Sequence, residues 1–146
     1  MRRTRVILSL LTLGGCNVYS NDSADVSGTY VGNATYTIAG SGVDAGEVTI
    51  DLTSSDNGVD VAIGAACSLS ATSIETVQIL DYHNTTRFVF ASDSIDASQT
   101  CTLPDGVAMT VAVGDLEVDH GGALTLDVGG ATDDGGYVVF QFAGAL

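Results

Sequence analysis

The sequence predicts an all-β domain, a single antiparallel barrel of about eight to ten strands, with a two-sheet sandwich as the alternative. Three observations predict it. From residue 28 onward, apolar residues recur with period two, the spacing that gathers them on one face of a strand. Clusters of Gly, Asn, Asp and Ser cut that alternation into short runs. Beyond the N-terminal segment, no stretch carries the period of an amphipathic helix.

The elements follow in order. Thr29 to Ile38 places Tyr30, Gly32, Ala34, Tyr36 and Ile38 on one face and Thr29, Val31, Asn33, Thr35 and Thr37 on the other. In Glu47 to Thr53, Val48, Ile50 and Leu52 face in, and Ser54-Ser55-Asp56-Asn57-Gly58 supplies residues that tolerate positive φ, so Val59, Val61 and Ile63 return as the second arm of a hairpin. Ser68 to Leu80 reads as strand or loop, Asp81-Tyr82-His83-Asn84 as a turn, and Phe88 and Phe90 restore the alternation. Ala97 to Gly106, with Cys101 and the only proline, Pro104, reads as a short strand and a turn. Val107 to Val113 alternates again with Met109 and Val111 inward. Leu116 and Val118 pair with Leu124, Leu126 and Val128 across His120-Gly121-Gly122, and Asp133-Asp134-Gly135-Gly136 turns the chain into Tyr137 to Phe142, with Val138, Phe140 and Phe142 inward.

Ahead of the domain, Arg2, Arg3 and Arg5 precede the largely apolar run Val6 to Leu13, and Gly14-Gly15-Cys16 follows. Basic, then apolar, then small is the order of an export signal. As a helix, the run reaches only roughly 12 Å against about 30 Å of hydrocarbon, too short to span a bilayer. Leu13-Gly14-Gly15-Cys16 resembles the lipobox of bacterial lipoproteins, in which the cysteine is acylated and becomes the new N-terminus. The resemblance implies a cleaved signal helix over 1–15, a lipidated Cys16 opening a flexible tether over 16–27, and an acidic β-domain over 28–146. It also implies a place in the cell envelope, held to a membrane by lipid and facing the periplasm or exterior. The other reading is a secretory signal cut nearby, with Cys16 incidental.

Losing 1–15 removes three of the four basic residues and none of the eighteen acidic ones, leaving Arg87 against eighteen carboxylates, a net charge of −17. Phosphate-backbone recognition needs a cationic face, so nucleic acid is excluded as a partner. Anionic headgroups repel such a domain, and the lipid alone must hold it. The acidity fits a saline exterior as well as calcium binding.

With Cys16 assigned to lipid, Cys67 and Cys101 remain as an even pair in an oxidising compartment. A bridge between them closes a loop of about 34 residues and stabilises the fold by roughly 3 to 4 kcal/mol. Metal ligation and a reactive thiol are the rival readings, and no C-x-x-C or Cys/His cluster accompanies them.

A domain that opens with Gly28-Thr29-Tyr30-Val31-Gly32 and closes on Phe140-Gln141-Phe142-Ala143-Gly144 resembles the lipocalin-like or calycin-like domains of bacterial lipoproteins, with Tyr30 standing where that family has tryptophan. The resemblance covers 28–146 and implies a barrel that carries a small apolar ligand. Tyr30, Tyr36, Phe88, Phe90, Phe140 and Phe142 are the candidate lining of such a cavity; alternatively, facing side chains fill the space.

Asp115, Glu117 and Asp119 are spaced two apart, which on a strand puts three hard oxygen ligands on one face, a pattern that a solvated strand also shows. His120 stands where a calcium loop needs glycine. No cofactor is expected. The sequence offers His83, His120 and many serines but no G-x-S-x-G, so the chain reads as non-enzymatic, a binding or structural envelope domain of unknown partner. A carrier of a small apolar ligand is the first alternative and a hydrolase with an unrecognised site the second.

Overall fold

The computed structural model describes residues 25–56, 58–75, 78–79, 83–84, 86–91, 99–119 and 121–146, and within 72–91 the backbone alone. The strands are β1 (Gly28–Ile38), β2 (Ser41–Ser55), β3 (Gly58–Ile63), β4 (Cys67–Glu75), β5 (Gln78–Ile79), β6 (His83–Asn84), β7 (Thr86–Ala91), β8 (Thr100–Thr102), β9 (Ala108–Val118), β10 (Ala123–Thr132) and β11 (Tyr137–Ala145). Eight of them form a nearly closed antiparallel barrel in the order β1-β2-β3-β4-β7-β9-β10-β11, with β11 returning to β1. The expected barrel is therefore the architecture, and the sandwich alternative falls away because the pairings run round a ring.

Inward side chains meet across the strands all round the described ring. Ala34 lies opposite Phe142 and Tyr36 opposite Phe140, and on the far side of β11 the same phenylalanines meet Leu126 and Val128. Ile50 lies opposite Ile63, and Val61 opposite Leu69. Tyr30, Tyr36, Ile50, Ile63, Leu69, Leu116, Leu124 and Phe140 are fully buried in one continuous core, and burying such side chains contributes about 1.5–3 kcal/mol each.

The seam between β4 and β9 is divided. Toward one end β7 fills it, pairing Thr72 with Val89 and Glu75 with Arg87 on one side and Arg87 with Glu117 on the other. Toward the other end β8 takes the place, laddered to Thr110, Met109 and Ala108 of β9. The Cys67–Cys101 disulfide ties β8 to β4, with Cα atoms 4.4 Å apart. Gln99 completes the tie by accepting a hydrogen bond from the Ser70 amide (2.6 Å) and donating one to the Ser70 carbonyl (3.1 Å). Where the backbone ladder lapses, a covalent bond and a side-chain amide replace it.

Three local expectations are corrected. His83 and Asn84, expected in a turn, form β6 and pair with Ile79 and Gln78. Val107–Val113 and Leu116–Val118, expected as separate runs, are joined from Ala108 onward in the one strand β9, whose register slips opposite Gly129 and Gly130 of β10. The slip exposes both Ala112 and Val113, and Gly114 resumes the inward phase. Finally, Asp25–Ser27, assigned to the tether, already packs on the barrel: Val26 is buried, its amide donates to Ser54 Oγ (2.8 Å), and its carbonyl accepts from the Tyr30 hydroxyl (2.9 Å). The expected signal helix, Cys16 and the rest of the tether lie outside the described residues, as does His120.

Candidate functional site

Of the six aromatics expected to line a cavity, Tyr30, Tyr36, Phe140 and Phe142 are buried and inward. Phe88 and Phe90 hold register positions opposite Leu116 and Gly114, and their side chains lie outside the described residues. Tyr36 and Phe140 pack ring against ring, centroids 5.5 Å apart. The two tyrosines differ in one respect. The Tyr30 hydroxyl has its partner in the Val26 carbonyl, whereas the Tyr36 hydroxyl, on a residue only 1% exposed, makes no hydrogen bond. The Asp105 backbone amide lies close enough to ease a negative charge on that oxygen without completing a bond. Burial, reinforced by the Asp25 carboxylate at Tyr30 and the Asp105 carboxylate at Tyr36, raises both phenols above their ordinary value.

A turn closes the barrel end above Tyr36. Leu103, itself buried, accepts from the Gly106 amide (2.8 Å) and donates to the Val107 carbonyl (2.8 Å), and Asp105 Oδ1 accepts from the Val107 amide (3.0 Å). The disulfide anchors this turn two residues before Leu103.

The carboxylates singled out for a cation do not converge. Asp115 and Glu117 are half-buried on β9, but Asp119 lies past its end, where its side chain accepts from the Ala123 amide (2.8 Å) and fixes the turn. Glu117 sits in register between Thr125 and Arg87. Among the described residues, no three His, Cys, Asp or Glu side chains are grouped as metal ligands.

A concave surface lies instead on the outer wall. Val113, Tyr137 and Val139 from β9 and β11, with Gly129 of β10, floor a depression of about 340 Å³ whose rim holds Asp115 and Asp127. A second depression, of about 430 Å³, adjoins at the barrel end and is lined by Ile38, Val107, Ala108 and Asp133 among others, with Tyr137 common to both. Tyr137 is 47% exposed and Val113 55%, and the two lie side by side across Gly129. Their exposure has local causes. Gly129 lacks the Cβ that would collide with the Tyr137 hydroxyl, so the ring lies across its backbone. The slip in β9 turns Val113 outward. Asp115 and Asp127 face each other as a direct register pair, and Asp127 also accepts from Gln141 Nε2 (2.7 Å).

The sequence reading missed this site. Its signal was the pair Gly129-Gly130 inside an alternating run, since glycine in a strand interior marks a bulge or a close approach. Compared with known proteins, the chain matches no family model, no curated protein and no solved structure.

Proposed function

We propose that the chain is a lipid-anchored envelope protein whose acidic barrel serves as a non-enzymatic binding domain, recognising its partner on the outer wall. The observation that carries the anchor is the run of basic, apolar and small residues ending in Leu13-Gly14-Gly15-Cys16. A thiol acylated there holds two or three chains, and burial contributes about 0.8 kcal/mol per CH₂, enough for durable attachment without a spanning helix. Among the described residues, no helix is long and apolar enough to cross a membrane. Supporting the outer wall as the recognition surface is the contrast between an interior packed with Tyr30, Tyr36 and Phe140 and a depression that leaves Tyr137 open to solvent.

Mass spectrometry of the mature protein tests the anchor. The expected product begins at Cys16 with a diacylglyceryl thioether, and Cys16→Ser should yield an unlipidated form released from membranes. An intact Met1, or a mature chain with that sulfur bare, overturns the reading.

A lipocalin-like carrier of a small apolar molecule is the second reading, favoured by the Tyr36 hydroxyl, a buried donor without a partner inside the barrel. Added fatty acids or retinoids should then raise the melting temperature and perturb Tyr fluorescence. No change at saturation removes it.

A further inference from the structure

We infer that the upper edge of β2, from Ser41 to Val48, accepts an extended segment of a partner polypeptide as an added strand. The inference goes beyond the depression at Tyr137, concerns a different part of the barrel and is independent of the anchor. Three observations carry it. β2 runs for 15 residues and β3 for 6, so the ladder between them begins only at Ile50, opposite Ile63. Just above that pair the Thr49 carbonyl accepts a last bond from the Gly64 amide (3.5 Å), and from Ser41 to Val48 no strand among the described residues pairs with this side. Alternate residues of an edge strand turn both N–H and C=O outward, so the stretch presents a row of backbone groups that another extended backbone matches. Secondly, Val43 lies directly opposite Tyr36 and shares its inward face, yet Val43 is 51% exposed and Tyr36 1%. An inward valine stays open where the wall beside it lacks a strand. Thirdly, Gly64-Ala65-Ala66, which turns β3 into β4, is small and exposed and leaves room at the foot of the edge.

The edge also sets the occupant's chemistry. Its backbone ladder requires an extended polypeptide. The residue that comes to lie beside Val43 faces the barrel interior and has to be apolar. Asp44 and Glu47 lie opposite Thr35 and Asn33 on the outer face, and both are exposed, so the outward residues of the added strand are best lysine, arginine or threonine. An opposite charge directly across a ladder is worth roughly two- to fivefold in affinity. Asp44 also accepts from the Gly46 amide (2.8 Å), fixing the bulge that leaves Ala45 without a register partner on β1. Bulges and charges on an edge deter indiscriminate pairing, so this edge selects its partner. A second copy of this chain is a poor occupant: it brings the same Asp44 and Glu47 to the same edge, and the chain carries 18 acidic residues against 4 basic ones. β1 runs away from Val26 to Ile38, which puts Ser41 at the barrel end remote from the chain's entry, where a partner can reach it.

The test titrates the full chain, in mild detergent, with a blocked synthetic peptide that alternates valine with lysine or threonine, followed by calorimetry and amide hydrogen exchange. Saturable one-to-one binding is expected, with exchange slowed roughly tenfold at alternate amides between Ser41 and Val48 and unchanged on β10. Methylating every second peptide nitrogen should weaken binding by roughly tenfold or more in one phase and leave it nearly unchanged in the other, because only one side of an added strand meets β2. Val43→Ala should weaken it by roughly three- to fivefold and Asp44→Asn by roughly two- to fivefold, whereas Asp56→Asn, an exposed charge just past the other end of β2, should change it less than about twofold. Val43 is half exposed, so Val43→Ala should melt with the wild type. Absence of protection on β2 at millimolar peptide, or equal tolerance of both methylation phases, would overturn strand addition. Equal weakening by Asp44→Asn and Asp56→Asn would mean attraction to bulk charge and overturn the site. Protection at Val113 and Tyr137 in place of β2 would seat the peptide in the outer depression, with the same consequence. Sedimentation that finds a dimer dissociated by the peptide would make a second copy the occupant and overturn the separate partner. None of these results depends on Cys16 or on a ligand at Tyr137, so failure here leaves the proposed function standing.

Discussion

Tyr30→Phe and Tyr36→Phe are the same chemical change made six residues apart on one face of β1, and the structure gives them opposite signs. At Tyr30 the hydroxyl donates to the Val26 carbonyl at 2.9 Å in a buried pair. Deleting it forfeits a hydrogen bond, about 0.5–1.5 kcal/mol net, and strands the carbonyl, so the expected loss is about 1–3 kcal/mol. At Tyr36 the hydroxyl is buried without a partner, and the unfolded state, where water bonds it, is favoured by about 1–3 kcal/mol. Phenylalanine removes that penalty and leaves a gap the size of one oxygen, which returns part of the gain; a net stabilisation of about 1 kcal/mol is expected. The two variants should thus lie about 2–4 kcal/mol apart. Urea unfolding followed by circular dichroism at neutral pH resolves such a gap through the midpoints, provided the slopes agree. A Tyr36→Phe variant that loses as much stability as Tyr30→Phe would refute the reasoning, because it would mean that Asp105 or a bound water satisfies the hydroxyl.

Alkaline pH probes the same phenols. Both are raised when folded, so the unfolded chain releases protons first, and stability that is complete below about pH 10 should fall as pH rises through the folded values. Melting temperatures measured between pH 8 and 11 should show the decline, and Tyr36→Phe should flatten it. Replacing both Cys67 and Cys101 by Ala should cost about 3–4 kcal/mol in urea unfolding; a loss below about 1 kcal/mol would show that Gln99 and the β8–β9 ladder hold the seam alone. Gly130→Ala should destabilise by about 1–3 kcal/mol, because the new Cβ meets the Thr110 carbonyl and the Val111 backbone. Gly129→Ala meets only the end of the Tyr137 side chain, which can swing away, so the midpoint should move little while the Tyr137 fluorescence environment changes.

Much of the barrel was legible because one rule governs it: side chains alternate, and only one phase is apolar. Thr29–Ile38, Glu47–Thr53 and Tyr137–Phe142 carry that rule without interruption, and every residue assigned inward in the last two is buried. The alternation misleads where backbone geometry breaks the period. At the slip in β9 the sequence Val111-Ala112-Val113-Gly114 looks like continued alternation with valines inward, yet Val113 is exposed and Gly114 buried. No side-chain pattern announces an extra residue; the cue was Gly129-Gly130 on the partner strand, which lets the slipped backbone and Tyr137 come close. The turn after Cys101 was legible from Pro104 and Gly106, but the burial of Leu103 was not, since it lies two residues from a disulfide whose partner strand is distant in sequence. The outer depression joins both effects, which is why its residues look individually unremarkable in the sequence.

Strand direction gives the proposed anchor and the proposed site a fixed relation. β1 starts at the barrel end that also holds the Asp119–Gly122 turn and the C-terminal Leu146, whose amide donates to the Gly122 carbonyl (3.2 Å). If the proposed anchor holds, a tether entering at Val26 would present this end to the membrane. Tyr137 opens β11 at the opposite end, and the nine residues of that strand rise about 3.3 Å each, so even with the tilt of a barrel strand the depression stands roughly 20 Å beyond the tethered end. That height exceeds the Debye length of about 8 Å at physiological salt. A partner seated at the depression would then lie beyond the reach of anionic headgroups, and under the proposed anchor the acidic body below would be repelled by them. The same geometry explains why charge on the barrel's lower turns should matter little for docking: beyond a Debye length it neither recruits nor repels the partner, and what remains to discriminate is the wall around Tyr137.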